Sequence, residues 1–493
     1  MRGRTITIDD LGRSTGVVFG TSGVRGLAAA MTDEVCFLYT TAFLEHLRDL
    51  GEVRPGGGVV LGGDLRPSTE RILRAAARAV EHAGFEPLDA GRAPSPALAL
   101  YGFSRGLPSI MVTGSHIPSD RNGIKYTRPD GEILKADERA IRERTVELPP
   151  GEVFAVRPPV SRSVAVDVRE LYLSRYLDVF PRDSLHGLRV GVYQHSAVGR
   201  DLMLEVLEKL GADVVALGRS DVFVPVDTEA IRPQDVDLAA TWVAEHRLDA
   251  IVSTDGDSDR PLVADEKGRW LRGDIAALLT AAFVGADTVV TPVSCNTAVE
   301  RCGLFERVIR TRIGSPYVIA AMEGARSKGT AVVAGYEANG GFLLASEADI
   351  SGLRLPALPT RDALIVHLAI LVRSTREGRP VSELVAGLPQ RATVSDRLEN
   401  FPSDRARAKL ETMNTGNEDV DRRAIADEFG KRPENIACVD RTDGLRITFD
   451  SGDILHVRPS GNAPELRCYG EADTEGRAIE SVRECLEILE SWR

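Results

Sequence analysis

The segment Ser253-Thr-Asp-Gly-Asp-Ser-Asp-Arg-Pro261 places Asp255, Asp257 and Asp259 at alternate positions. Three carboxylates crowded into one loop repel one another unless a cation neutralises them. A loop curling around an ion can turn all three inward, and an all-oxygen donor set suits Mg²⁺ or Ca²⁺ rather than zinc. An EF-hand loop is the sharpest competitor, since Glu266 even falls at its twelfth position. That loop requires glycine at its sixth position, where this chain has Arg260 followed by Pro261. The flanks also read as strands, so the EF-hand is rejected. A merely solvated acidic turn leaves the crowding of like charge unexplained.

Three further segments carry chemistry. In Val112-Thr-Gly-Ser-His-Ile-Pro-Ser-Asp-Arg-Asn-Gly-Ile-Lys-Tyr126 an apolar run delivers Ser115 into a turn rich in Gly and Pro. A serine after such a strand projects into a cleft at the strand's carboxyl end. His116 and Lys125 are at hand for proton transfer or phosphate contact. The plainer reading is a surface turn; a serine hydrolase is disfavoured because GxSxG is absent. In Gly335-Tyr-Glu-Ala-Asn-Gly-Gly-Phe342, Glu337 and Asn339 offer acceptors and donors two residues apart, suited to vicinal sugar hydroxyls. The bland alternative is a β-turn with an incidental acid. In Arg458-Pro-Ser-Gly-Asn-Ala-Pro-Glu-Leu-Arg467, Arg458, Ser460, Gly461 and Asn462 make a phosphate cradle, against a plain hairpin turn. A fifth segment, Phe19-Gly-Thr-Ser-Gly-Val-Arg-Gly26, sets glycines around Arg25 without the strand and helix of a Rossmann fingerprint. On its own it reads as a flexible N-terminal turn.

The elements that must position these loops alternate between short strands and helices. Val59 to Leu61 reads as a strand, followed by a helix capped by Ser68 with Ile72, Leu73, Ala76 and Ala77 on one face. The same grammar returns around Leu188 to Leu217 and around Asp287 to Ala334. The last hundred residues instead read as strands joined by turns, closed by a helix from about Glu475 to Trp492. The expectation is three similar α/β domains plus a smaller C-terminal α+β domain. Their bounds are set at 1–160 for the serine loop, 161–268 for the aspartate loop, 269–385 for the sugar loop and 386–493 for the phosphate cradle. Linkers are placed near residue 155, near Gly268 and in the EGRPVSELVAGLPQ stretch near residue 385.

A length of 493 residues suits several domains, and 43% hydrophobic with 27% charged residues is ordinary globular composition. A net charge of −12 argues against a nucleic-acid partner. The six cysteines form no CxxC pair and read as reduced thiols. No apolar run has the length of a signal peptide core or a membrane helix, so the chain is expected to be cytoplasmic and off the membrane.

Taken in order, the five segments resemble the signatures of the α-D-phosphohexomutase superfamily over essentially the whole chain: FGTSGVRG, TGSHIPSDRNGIKY, DGDSDR, GYEANGG and RPSGNAPELR. The resemblance implies a central cleft with one loop from each domain. It implies Ser115 as phosphoserine, and Mg²⁺ held by Ser115, Asp255, Asp257 and Asp259. It implies Lys125 as general acid/base, with His116, Arg25 and Arg260 supporting the catalytic site. Glu337 and Asn339 would then bind the sugar, and Arg458, Ser460, Gly461 and Asn462 the distal phosphate. Hexose 1-phosphate and hexose 6-phosphate would interconvert through a hexose 1,6-bisphosphate that serves as intermediate and primer. Ile117 stands where the family usually has Asn, Asn339 where Ser is common, Gly341 where several branches have His, and Asn462 where Thr is frequent. The expected activity is that of a phosphomannomutase or phosphoglucomutase, with mannose ahead, on a monomer or small homo-oligomer. The sugar loop lacks the GEQSGH of amino-sugar mutases. The alternatives are a phosphoglucosamine-type mutase, a sugar-phosphate phosphatase and a non-catalytic sugar-phosphate-binding paralogue.

Overall fold

A computed structural model describes residues 4–20, 23–148, 161–327, 329, 332–430, 436–460 and 464–493. Three of its sheets share one arrangement. In the first, the parallel strands Glu86–Arg92, Gly58–Gly63 and Ser109–Val112 lie side by side, and Arg121–Thr127 pairs antiparallel with the last of them. In the second, Asp213–Leu217, Arg189–Tyr193 and Ala250–Thr254 are parallel, with Pro261–Ala264 antiparallel at the end. In the third, Arg307–Thr311, Thr288–Pro292 and Val333–Tyr336 are parallel, with Phe342–Leu344 antiparallel. Each unit thus runs in the order second, first, third, fourth strand. Each turns from its third strand into its fourth through a loop at the carboxyl end of a parallel strand.

Those third strands are buried at every position. Helices cover both faces of such sheets, which is why the strands read as unbroken apolar runs such as Ile110, Met111 and Val112. The helix Thr69–His82 shows how the covering works: Ile72, Ala75, Ala76, Ala79 and Val80 form its buried stripe at spacings of three and four. Ser68 stands at its N-cap but makes no side-chain cap; its hydroxyl instead accepts from Asn122 Nδ2 at 2.8 Å. One apolar core runs from Met111 through Tyr176 and Val252 to Ile370, so the first three units share a continuous interior.

The C-terminal unit is a five-stranded antiparallel sheet with its own core around Phe401, Ile447, Cys468 and Leu489. Its closing helix spans Glu475–Glu490. Polar contacts join it to the third unit: Asn296 Nδ2 donates to Arg391 O at 2.9 Å, and Thr297 N to Glu471 Oε2 at 3.1 Å.

Two expectations are corrected. The stretch near residue 385 is not an open linker, because Val381–Ala386 forms a helix that buries Val381 and Leu384. The segment around Arg25 is not a loose turn: Val18–Phe19 and Val24–Leu27 form a hairpin, and the second strand pairs with Arg121–Thr127 at the edge of the first sheet. Its Thr21 and Ser22 lie outside the described residues.

Candidate active site

The serine loop and the aspartate loop leave their strands in equivalent places and meet. Ser115 adopts a left-handed backbone, φ 55°, uncommon for a residue with a side chain. Its N–H donates to Thr113 Oγ1 at 2.8 Å, and its hydroxyl donates to Asp255 Oδ2. A Cβ at residue 256 would come within 2.8 Å of Ser115 O, so the contact between the loops requires Gly256. Arg66, buried beneath, ties the serine loop down. Its Nη1 donates to Pro118 O and Arg121 O at 2.6 and 2.9 Å, and its Nη2 to Ser115 O and Ile117 O at 2.9 and 2.5 Å. Asp64 faces the same guanidinium at 3.2 Å.

Asp255, Asp257 and Asp259 converge as expected of a cation site, with one carboxylate oxygen from each within 4.8 Å of the other two. Asp255 Oδ1 accepts from the N–H groups of Asp259 and Arg260 at 3.3 and 3.2 Å. Lys125 Nζ donates to Asp257 Oδ2 and Asp259 Oδ2 at 2.5 and 2.6 Å. Among the described residues, Asp257 Oδ1 and Asp259 Oδ1 are buried with no hydrogen-bond partner. Orphaned carboxylate oxygens beside a hydroxyl are what a hard divalent cation would satisfy, so these residues fit Mg²⁺.

Electrostatics follow from the crowding. Burial, then the neighbouring Asp257 and Asp259, push the Asp255 carboxyl well above the usual range. Burial opposes ionisation of Asp259 as well, but Arg361, Lys125 and Arg260 outweigh it and hold that carboxyl far below the usual value. Burial also works against the Lys125 ammonium, and Asp257 and Asp259 more than restore it, so Lys125 rests protonated. His116 is driven well below the ordinary histidine value by burial and then by Arg260. Its Nδ1 lies 3.4 Å from Ser115 Oγ and 2.9 Å from Arg260 Nη1. His116 is therefore neutral and accepts from Arg260; at neutral pH it has no imidazolium proton to give. Arg25 is pushed down to about 10 by burial and by the positive charge of Arg260 and Arg361. Guanidiniums that repel one another beside a serine form a ready seat for a phosphate.

The sugar loop is joined to this cluster through Arg361, which donates from Nε to Asp259 Oδ2 at 3.0 Å and from Nη1 to Glu337 Oε2 at 3.2 Å. Asn339 is buried, and its Oδ1 accepts from Gly341 N at 2.9 Å, so that oxygen shapes the turn instead of facing a ligand.

Arg458 and Ser460 lie on the hairpin of the last sheet, where Ser460 N donates to Glu465 O at 2.8 Å. Arg458 pairs in register with Arg467, its Nε lies 3.7 Å from Asp443 Oδ2, and that nitrogen makes no hydrogen bond among the described residues. Arg467 donates from Nε and Nη2 to Glu465 Oε2 at 3.1 and 2.9 Å, so carboxylates already offset both of the opposed arginines. Gly461 and Asn462, expected in the same cradle, lie outside the described residues.

Arg66, Ser95 and Arg361 were absent from the sequence reading. Ser95 Oγ donates to Asp257 Oδ2 at 2.5 Å. For Arg361 a signal existed: Thr360-Arg361-Asp362 precedes the apolar run Ala363 to Val372, and Asp362 does cap that helix.

Comparison with known proteins accords with this geometry. The phosphoglucomutase/phosphomannomutase alpha/beta/alpha domains I, II and III match residues 16–149, 171–268 and 273–392, and the C-terminal domain of that family matches 407–487. A phosphomannomutase of Sinorhizobium fredii is 45% identical over 478 residues, covering 97% of this chain and 99% of that one. A phosphomannomutase of Salmonella muenchen is 44% identical over 484 residues, covering 98% and 97%. Likeness of fold extends to a phosphoglucomutase/phosphomannomutase family protein from Burkholderia thailandensis. There the TM-score is 0.74 at 19% identity, over 96% of this chain and 97% of that one. With four domain matches in order along a chain whose serine and aspartate loops meet at Ser115 and whose third equivalent loop is tied to them through Arg361, this protein belongs to the phosphoglucomutase/phosphomannomutase family.

Proposed function

We propose that the protein interconverts hexose 1-phosphate and hexose 6-phosphate, with mannose as the preferred sugar, by passing phosphate through Ser115. The observation that carries this reading is the Ser115 hydroxyl resting on Asp255, inside a carboxylate cluster shared with Lys125. The preference for mannose is supported by the names of the two relatives at 45% and 44% identity.

In this reading Ser115 carries the phosphate, and a hydroxyl of the bound hexose monophosphate attacks its phosphorus. The bond from phosphorus to Ser115 Oγ breaks, leaving hexose 1,6-bisphosphate and a free serine. Lys125, protonated at rest, gives a proton to the departing oxygen and takes one from the attacking oxygen, so the proton count closes. The bisphosphate turns over in the cleft and returns its other phosphate to Ser115. Mg²⁺ held by Asp255, Asp257 and Asp259 would offset charge on the transferred group. Arg25 and Arg260 stabilise the same charge from fixed positions. Glu337 and the Nδ2 amide of Asn339, whose Oδ1 is held in the turn, orient the sugar, while Arg458, Ser460, Gly461 and Asn462 anchor the phosphate that is not being transferred. His116 orients Arg260 toward the serine.

A panel of mannose, glucose, glucosamine and N-acetylglucosamine 1-phosphates, each with Mg²⁺ and a hexose 1,6-bisphosphate primer, tests this. The reading expects isomer formation, highest for mannose, with little inorganic phosphate released. Phosphate release without isomer would make the protein a phosphatase; binding without turnover would make it a non-catalytic paralogue.

A further inference from the structure

We propose that Arg361 and Gly341 form a positioning pair that couples the aspartate loop to the sugar loop, the arginine stem filling the space a side chain at 341 would need. This deepens the mutase reading and rests on it.

Arg361 is 2% exposed and spans two loops that leave different sheets. One guanidinium engages Asp259 Oδ2 and Glu337 Oε2, so the carboxylate assigned to the sugar is fixed relative to the carboxylates assigned to the cation. The arginine is itself held from behind. Asp362 N donates to Phe342 O at 2.9 Å, bonding this segment to the sugar loop. The Asp362 carboxylate accepts from Leu364 N at 3.2 Å, from Tyr172 OH at 2.6 Å and from Tyr176 OH. With its backbone and its guanidinium both tied, the stem has little freedom to move aside.

The space argues the same way. A Cβ at residue 341 would lie 2.5 Å from Arg361 Cδ and 2.9 Å from Cγ, atoms in the middle of a side chain anchored at both ends. Gly340 has φ 84°, a left-handed value, whereas Gly341 is not among the residues of positive φ. Residue 341 is thus glycine for room and not for backbone conformation. A side chain there displaces the stem and with it the grip on Glu337.

A double-mutant cycle tests the pair, with Gly341→Ala, Arg361→Ala, the double variant and Arg361→Lys. Calorimetry reads binding of mannose 6-phosphate and, separately, of Mg²⁺; isomerisation is assayed in parallel. Gly341→Ala and Arg361→Ala should each weaken mannose 6-phosphate binding by about tenfold or more, and the double variant no more than Arg361→Ala alone, because coupled residues are not additive. Arg361→Lys should recover only part of the loss, since lysine keeps the charge without the fork. Gly341→Ala should keep Mg²⁺ affinity within about threefold of the parent, because Lys125 and the Asp259 and Arg260 N–H groups still hold the aspartate loop when the guanidinium shifts. Additive losses, sugar-phosphate binding by Gly341→Ala within about twofold of the parent, or equal loss of both ligands in that variant would each overturn the pair. Because a Cβ at 341 would also lie 2.9 Å from Asn339 Oδ1, Gly341→Ala alone does not assign the loss to Arg361; if Arg361→Ala fails to fold, Arg361→Lys takes its place in the cycle, and additive losses there overturn the pair. A parent that binds mannose 6-phosphate but does not isomerise it refutes the mutase reading and leaves the pair to the cycle. A parent that binds no hexose phosphate overturns both.

Discussion

Ser115 takes a left-handed backbone and an immediate carboxylate neighbour from a loop whose side chains were easy to read. The aspartate loop was legible because its chemistry is local: like charges two residues apart need a partner wherever the chain goes. Arg66 and Arg361 were not legible. Their partners Ser115 and Asp259 lie 49 and 102 residues away, a distance no motif spans. Ile117, which breaks the family's usual pattern beside the serine, contributes through its carbonyl, the acceptor of Arg66 Nη2. Any residue supplies that carbonyl. Ile117→Asn should therefore change kcat/KM by less than about threefold, the range of a substitution that removes no paired group. Steady-state kinetics on mannose 1-phosphate would check it, and a tenfold drop would mean that the side chain itself matters.

Among the elements, the strand and helix grammar was readable from apolar runs and alternation. The return of an antiparallel fourth strand in each unit was not, since pairing partners are set by tertiary contacts. The helix Val381–Ala386 was missed because glycines and prolines on either side read as a linker, while burial of Val381 and Leu384 decided the outcome. The serine loop depends on one side chain beneath it. Arg66→Ala would leave four carbonyls without their donor and Asp64 buried without its counter-ion. Breaking a buried charge pair from one side costs about 3–5 kcal/mol. Urea denaturation should show a loss of that order, and activity should fall further than the folded fraction accounts for. An unchanged denaturation midpoint would mean that the loop stands without it.

Across the whole molecule, His195, His367 and His456 sit buried in three different units, each pushed down to about 4 by burial, as His116 is pushed down beside the serine. Unfolded, each returns to its ordinary value of 6.5. Between those values the unfolded chain binds more protons than the folded one, so stability rises with pH across the window and is lost as pH falls through it. The loss should be on the order of 3 kcal/mol per histidine at pH 4. Urea midpoints measured from pH 7 to 4 should fall steadily, and a flat profile would contradict neutral burial of the three. The division into four units was visible in the sequence as a strand and helix grammar that occurs three times and then gives way to a run of strands. The continuous core through the first three was not, because it is built from helix faces that meet only after folding.

The central claim is that phosphate passes through Ser115. The most direct measurement is transfer of label from ³²P-labelled hexose 1,6-bisphosphate to the protein, located by mass spectrometry of its peptides. The account predicts label on Ser115, removed by adding unlabelled mannose 6-phosphate. It also predicts no label in a folded Ser115→Ala variant, whose isomerase activity should be lower by at least about 10⁴-fold, the scale of losing a nucleophile. Label on another residue, or isomerisation that persists in Ser115→Ala, would contradict it.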